Sequence, residues 1–151
     1  MMYRRILVPL EHTVTDACIL EHVRRLARHC SAAVVLIHVA DGWAARNLKQ
    51  LELRASEEMK VDREYIERVA AQLDAEGLPA EAILATGDPA AEITAAAERE
   101  QCDLIAMGTH GHRLIGDLIH GSVANAVRHA TSIPVLLVRA PSGPPARQSP
   151  Q

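Results

Sequence analysis

Short apolar runs alternate with stretches of helical periodicity along the 151 residues, and this alternation constrains the fold more than any other feature. The run AVVLIHV at 33–39 has no polar face, which is typical of strands buried in a parallel sheet. Helical stretches between the runs favour right-handed crossovers and helices on both faces of one open sheet. The sequence therefore predicts a single-domain α/β fold with five parallel strands, at 5–9, 33–39, 80–85, 103–107 and 133–139.

Four stretches carry apolar residues at helical spacing and are predicted as helices. Thr13 or Thr15 is the predicted cap of the first helix, whose periodic positions extend to Ala27. Asp88 is the predicted cap of the third, with Pro89 at its first position, where a missing N–H costs nothing. Residues 41–53 fit no single element. The other predicted helices are 56–76, stopped by Gly77-Leu-Pro79, and 122–130, while the third ends near residue 100.

Composition excludes several classes of function. The net charge is −3 with both signs spread along the chain, and there are one Trp and two Tyr, so neither an electrostatic nor a base-stacking nucleic-acid surface is expected. No apolar run approaches the ~20 residues of a membrane span, so a cytoplasmic protein is expected. The cysteines lack CxxC spacing and are expected to be reduced and mostly in the core: Cys18, Cys30 and Cys102.

A glycine-rich segment, GTHGHRLIGDLIHGS at 108–122, follows the fourth predicted strand and precedes the last predicted helix. Its glycines are spaced G-x2-G-x9-G-S. Glycine lets the backbone approach an anion, and a helix N-terminus offers free N–H groups and a favourable dipole. The order strand, glycine loop, helix therefore predicts a phosphate site, although the segment is neither a Walker loop nor a GxGxxG fingerprint. The alternative is a loop with left-handed turns in which Ser122 only caps a helix.

The place of this segment in the sheet supports the same hypothesis. Open parallel sheets bind ligands beyond the carboxyl ends of their strands, where the strand order reverses. If the first strand lies between the second and the fourth, that crevice is bounded by Pro9-Leu10-Glu11 and Met107-Gly108. The glycine loop then lies where a ligand is expected.

Several segments resemble the universal stress protein family, of the ATP-binding kind. ILVPLEHT at 6–13 resembles its first strand and loop, and Thr86-Gly87-Asp88-Pro89 resembles the turn before its third helix. The stretch 103–139 is similar to the family's C-terminal signature over its whole length. The resemblance implies a Rossmann-like sheet in the order 3-2-1-4-5, of the adenine nucleotide alpha hydrolase-like class. It also implies a homodimer joined through the last strand, Ile133 to Arg139.

The family further implies ATP or AMP in the crevice, with Mg2+ or Mn2+ as candidate ions. Residues 9–11 would border adenine and ribose, Val39 would pack on adenine, and 107–108 would lie under the nucleoside. Residues 110–111 would lie above the phosphates and 121–124 would contact them. The implied nucleotide-binding residues are Pro9, Leu10, Glu11, Val39, Met107, Gly108, His110, Gly111, Gly121, Ser122, Val123 and Ala124.

Two positions depart from the family pattern. Glu11 stands where the family usually has Asp, and its extra methylene moves the carboxylate roughly 1.5 Å further out. His112 stands where many members have Arg, and with His110 and His120 it is alternatively a transition-metal site. The domain is assigned to 1–139, and the proline-rich residues 140–151 are predicted to be a disordered tail.

Three functions remain open from the sequence. The first is a stress-response regulatory protein that binds ATP or AMP as a homodimer. The second is a slow ATP-hydrolysing enzyme, although no Lys follows the glycine loop and no nucleophile–base arrangement is visible. The third is a structural dimer with an empty nucleotide site.

Overall fold

The computed structural model describes residues 2–41, 52–109 and 115–141. Strands and helices alternate along these residues as the apolar runs predict. The elements are β1 (Arg5–Pro9), α1 (Asp16–Cys30), β2 (Ala33–Asp41), α2 (Glu52–Ala75), β3 (Ala80–Gly87), α3 (Pro89–Arg99), β4 (Leu104–Thr109), α4 (Ile115–Ala130) and β5 (Val135–Arg139).

The strands form one parallel sheet in the order β3-β2-β1-β4-β5, which confirms the predicted fold class and strand order. Strand β1 is central, with Leu7 aligned with Val35 of β2 and with Ile105 of β4. The chain continues from β1 into β2 on one side, whereas β4 lies on the other side of β1. The strand order therefore reverses at β1, and the carboxyl ends of β1 and β4 flank the crevice where such sheets bind ligands.

Each face of the sheet has its own hydrophobic core. Successive strand residues point to opposite faces, so Ile6 and Val8 enter one core and Leu7 enters the other. The first core is closed by residues of α1 and α2, including Val23 and Leu73. The second is closed by α3 and α4. Because both faces are covered, the central strands have no polar face, as the run at 33–39 predicts.

The ends of the helices can be compared with the predicted caps and stop residues. The carboxylate of Asp88 accepts a hydrogen bond from the Ala91 N–H at 2.9 Å, with Pro89 as the first residue of α3, as predicted. Gly77 follows α2 with φ of +86°, a conformation that favours glycine. Thr15 occupies the N-cap position of α1, but its side chain makes no capping hydrogen bond. Its hydroxyl lies 2.7 Å from that of Thr13 instead.

The predicted start of the last helix at Ser122 is wrong, because α4 begins at Ile115. The apolar residues at 115, 118, 119, 123 and 127 follow helical spacing across the whole element. A glycine inside a helix costs only about 1 kcal/mol relative to alanine. Gly121 therefore does not stop a helix that this periodicity supports on both sides.

The predicted limits of the domain, residues 1 and 139, remain predictions. Ala140, assigned to the tail, is buried and donates its N–H to the Thr109 carbonyl at 2.8 Å. Residues 142–151 lie outside the described residues, as do 42–51 and 110–114. No helix in the described part of the chain is long and apolar enough to cross a membrane.

The three cysteines are free thiols in different surroundings. Cys30 and Cys102 are buried, whereas Cys18 is partly exposed on α1. Burial raises the pKa of the Cys102 thiol to about 11, against a smaller opposing effect of Arg5. Because the thiolate is the reactive form, the Cys102 side chain is held in its unreactive state at neutral pH.

We therefore expect iodoacetamide at pH 8 to alkylate Cys18 in the folded protein and to leave Cys102 unmodified until the chain is unfolded. Peptide mass spectrometry after a timed reaction measures each site. The same reaction in guanidinium chloride is the control, in which all three thiols should react. Equal rates for Cys18 and Cys102 in the folded protein would contradict the assigned burial.

Candidate functional site

A cavity of about 310 Å3 opens beyond the carboxyl ends of β1, β2 and β4. This volume is at the lower end of the range of about 300–1,000 Å3 for small-molecule sites. Its apolar walls come from the strand ends, from α1 and from α3, and include Ile19, Val39, Ile93 and Met107. Polar side chains gather on the side of the loop between β1 and α1, namely Glu11, Thr13, Thr15 and Asp16, with His38 of β2 beside them.

Seven of the residues implied for nucleotide binding line this cavity. They come from four separate parts of the chain, which the sheet topology brings together. The seven are Pro9, Leu10, Glu11, Val39, Met107, Gly108 and Val123. Ala124 does not line it and is buried in the core between the sheet and α4.

The remaining implied residues belong to the glycine-rich segment. His110 and Gly111 lie outside the described residues, as does the alternative ligand His112. Gly121 and Ser122 lie within α4 and not in its first turn. The predicted place of these two residues at a helix N-terminus is therefore wrong, because interior N–H groups bond within the helix, whereas their predicted contact with phosphate stays a prediction.

Eight of the residues that line the cavity are not among those implied by the sequence. Thr13 and Thr15 were predicted only as candidate caps of the first helix, and Pro89 only as the first residue of the third. Asp16 was missed because an acidic residue in the first turn of a helix is common for reasons of the helix dipole alone. The missed residues are Thr13, Thr15, Asp16, Ile19, Ile37, His38, Pro89 and Ile93.

Asp16 organises the loop between β1 and α1. It is only 3% exposed, and its two carboxylate oxygens accept three hydrogen bonds. The backbone N–H of Glu11 donates to Oδ1 at 3.0 Å, and that of His12 donates to Oδ2 at 2.9 Å. The hydroxyl of Tyr65, on α2, donates to Oδ2 at 2.6 Å. A buried carboxylate needs such donors, because an unsolvated charge is costly.

Asp62, one turn before Tyr65 on α2, connects two histidines beside the cavity. Its Oδ1 lies 2.7 Å from Nδ1 of His12, and its Oδ2 lies 3.2 Å from Nε2 of His38. The other ring nitrogen of His38 lies 2.8 Å from the Leu10 carbonyl oxygen. Both ring nitrogens of His38 therefore face oxygen atoms.

No group of three or more His, Cys, Asp or Glu side chains in the described ranges could hold a metal ion. Each of the two histidines lies within hydrogen-bonding distance of the Asp62 carboxylate. The cavity thus combines apolar walls with one polar side, which suits a flat ligand with apolar faces and hydrogen-bonding edges.

Comparison with known proteins places this geometry in a family. The sequence model of the Universal stress protein family matches residues 2–139. Universal stress protein MJ0577 of Methanocaldococcus jannaschii is 30% identical over 92% of this chain and 96% of its own length. The chain therefore belongs to the universal stress protein family, as its C-terminal signature predicts.

The solved structures agree with this assignment. The structure of MJ0577 superposes with a TM-score of 0.83 at 27% identity, over 95% of this chain and all of the other. The universal stress protein from Archaeoglobus fulgidus in complex with dAMP superposes at 0.62 with 20% identity, over 91% and 98% of the chains. A universal stress protein in complex with cAMP also superposes at 0.62, with 17% identity, over 92% and 98%. At the last two identities the likeness is one of fold.

Proposed function

We propose that this protein binds an adenine nucleotide, ATP or AMP, in the cavity at the carboxyl ends of β1, β2 and β4. The observation that carries the proposal is the coincidence of this cavity with seven residues that the family resemblance implies for nucleotide binding. Family members of the same fold form complexes with dAMP and cAMP, which supports an adenine ligand. We propose further that the protein acts as a cytoplasmic homodimer in which the bound nucleotide regulates a stress response.

The apolar walls fit the faces of an adenine ring. Val39 is partly buried near the end of β2, and Met107 lies near the end of β4, so the two side chains line the cavity from the strands on either side of β1. Adenine has apolar faces and polar edges, and a slot between such side chains excludes water from the faces.

The polar side of the cavity fits a sugar. The carboxylate of Glu11 is an acceptor for the ribose hydroxyls, which are donors. Gly108 borders the cavity from β4, where an added Cβ would meet Ile19 only at 3.5 Å, an ordinary contact. Because glycine has no side chain, Gly108 presents only its backbone to the cavity. Phosphates would then extend toward 108–122 and the neighbouring Val123.

Equilibrium dialysis tests this function directly. The purified protein is measured against ATP, AMP, cAMP and dAMP, with GTP and GMP as matched controls for the base. We expect saturable binding of adenine nucleotides at least tenfold tighter than of guanine nucleotides. Equal affinity for both bases, or no binding, would contradict the proposal. A phosphate-release assay on the same samples decides whether bound ATP is hydrolysed.

Replacement of Glu11 by glutamine tests the sugar contact. If Glu11 accepts from ribose, Glu11→Gln should weaken adenosine, AMP and ATP by similar factors of about three- to tenfold, as one weakened hydrogen bond predicts. If Glu11 instead holds a divalent ion on the triphosphate, only ATP with magnesium should bind more weakly. Glu21→Gln, an exposed acid on α1, is the control. Affinities equal to those of the unmodified protein for every ligand would remove Glu11 from the site.

A further inference from the structure

The loop between β1 and α1 forms the polar side of the proposed nucleotide site, and its path depends on a few contacts. Glu11 and His12 lie between the end of β1 and Thr13, in backbone that belongs to neither element. His12 has φ of +61°, in the left-handed region that residues with a Cβ rarely adopt. A loop with such a residue needs specific interactions to stay in one conformation.

Asp16 supplies these interactions from the first turn of α1. Its carboxylate accepts the N–H groups of both Glu11 and His12, the two residues at the turn. These two bonds fix consecutive peptide groups to one rigid element. The backbone position of Glu11, from which its side chain extends, therefore depends on Asp16.

Tyr65, on α2, also contacts Asp16. Its hydroxyl donates to Oδ2, and its ring stacks on the His12 imidazole with centroids 4.0 Å apart and planes inclined by 12°. Burial, and then the hydrogen bond to Asp16, raise the pKa of Tyr65 well above its ordinary value. The phenol thus remains a donor at every physiological pH. One side chain of α2 contacts both the acceptor and the strained residue of the loop.

We propose that Asp16 and Tyr65 are positioning residues that set the affinity of the site for the sugar of its ligand, by holding the loop that carries Glu11. This inference rests on the proposed function, which supplies the ligand, an adenine nucleotide. The family resemblance assigns no role to either residue. The two act through the loop, so their effect falls on ligands that contain the sugar and spares the free base, which rests on the strand ends.

Two conservative variants separate this role from general stability. Tyr65→Phe removes only the hydroxyl and keeps the stacking on His12. Asp16→Asn replaces one acceptor oxygen by a donor, so one of the two loop N–H groups loses its partner. Tyr3→Phe, at the other tyrosine of the chain, is the matched control. We expect affinity for AMP and adenosine to fall about two- to fivefold in Tyr65→Phe and at least tenfold in Asp16→Asn.

Two readouts decide the matter. In 1H–15N spectra without ligand, the Glu11 and His12 amide resonances should shift in both variants and stay in place in Tyr3→Phe. In titrations, the ratio of adenosine to adenine affinity should fall in both variants. Unshifted amide resonances overturn the proposal, and so does an unchanged ratio. If the unmodified protein binds no adenine nucleotide, the proposed function fails and the sugar-affinity role is overturned with it. If the amide resonances nevertheless shift in both variants, Asp16 and Tyr65 do hold the loop, and the error lies in the proposed nucleotide binding.

Discussion

A valine at position 121 should abolish adenine-nucleotide binding while the chain remains folded. We expect a loss of more than about tenfold in affinity, or 1.4 kcal/mol. The physical reason is space, because a glycine lets a ligand approach the backbone and a branched side chain would occupy that volume. Gly121 lies in the interior of α4, where valine has a better intrinsic helix propensity than glycine. The substitution therefore removes space without removing helix stability.

Isothermal titration with AMP and ATP measures the effect, and thermal unfolding followed by circular dichroism checks the fold. Asn125→Val is the matched control, since it places the same branched residue at an exposed position of the same helix. The control should bind like the unmodified protein. A folded Gly121→Val protein with unchanged affinity would show that the ligand does not approach α4 at this residue.

An aspartate at position 137 should convert the proposed dimer into monomers. Strand β5 is an edge of the sheet, and Leu137 is a large apolar side chain there with 43% of its surface exposed. A second copy that pairs antiparallel about a two-fold axis would hide this edge. Leu137→Asp places like charges close together across such an axis, which opposes pairing.

Sedimentation velocity measures the outcome, with the unmodified chain expected at twice 16.4 kDa. The dissociation constant should rise at least tenfold in Leu137→Asp. The combination with Val135→Lys should complete the loss or make the protein insoluble. Val61→Asp is the control, because it charges another exposed apolar residue, 53% exposed on α2. An unmodified protein that remains a monomer at high concentration would refute β5 as the interface.

The fold could be predicted because its signals are local and repeated. Each apolar run has to be buried on both faces, and helical spacing between runs leaves few ways to do so. The ends of the helices were harder to predict where two local sequence signals conflicted. At Gly121 the glycine indicated a boundary, whereas the apolar periodicity on both sides indicated one continuous helix, and the periodicity prevailed. At Thr15 a hydroxyl was available for capping, but the neighbouring Thr13 hydroxyl engages it.

The cavity was predictable in part for a related reason. Pro9-Leu10-Glu11 and Met107-Gly108 end strands, so the topology alone brings them together. The hydrogen bonds of Asp16 and Asp62 were not predictable, since Tyr65 is 49 residues from Asp16 in sequence and no local pattern connects them. Their contacts depend on how α2 packs on β2 and β3, on the same face of the sheet as α1, which is a property of the assembled core.

Helix α2 touches the polar side of the cavity at two successive turns, through Asp62 and Tyr65. Because of this contact, binding at α2 and binding in the cavity can be thermodynamically linked. A partner that binds α2 with different strength in the filled and the empty protein must change nucleotide affinity by the same factor, whatever the partner is. A coupling free energy of 1.4 kcal/mol would make that factor tenfold in both directions. Nucleotide concentration and partner concentration would then be interchangeable inputs to one equilibrium.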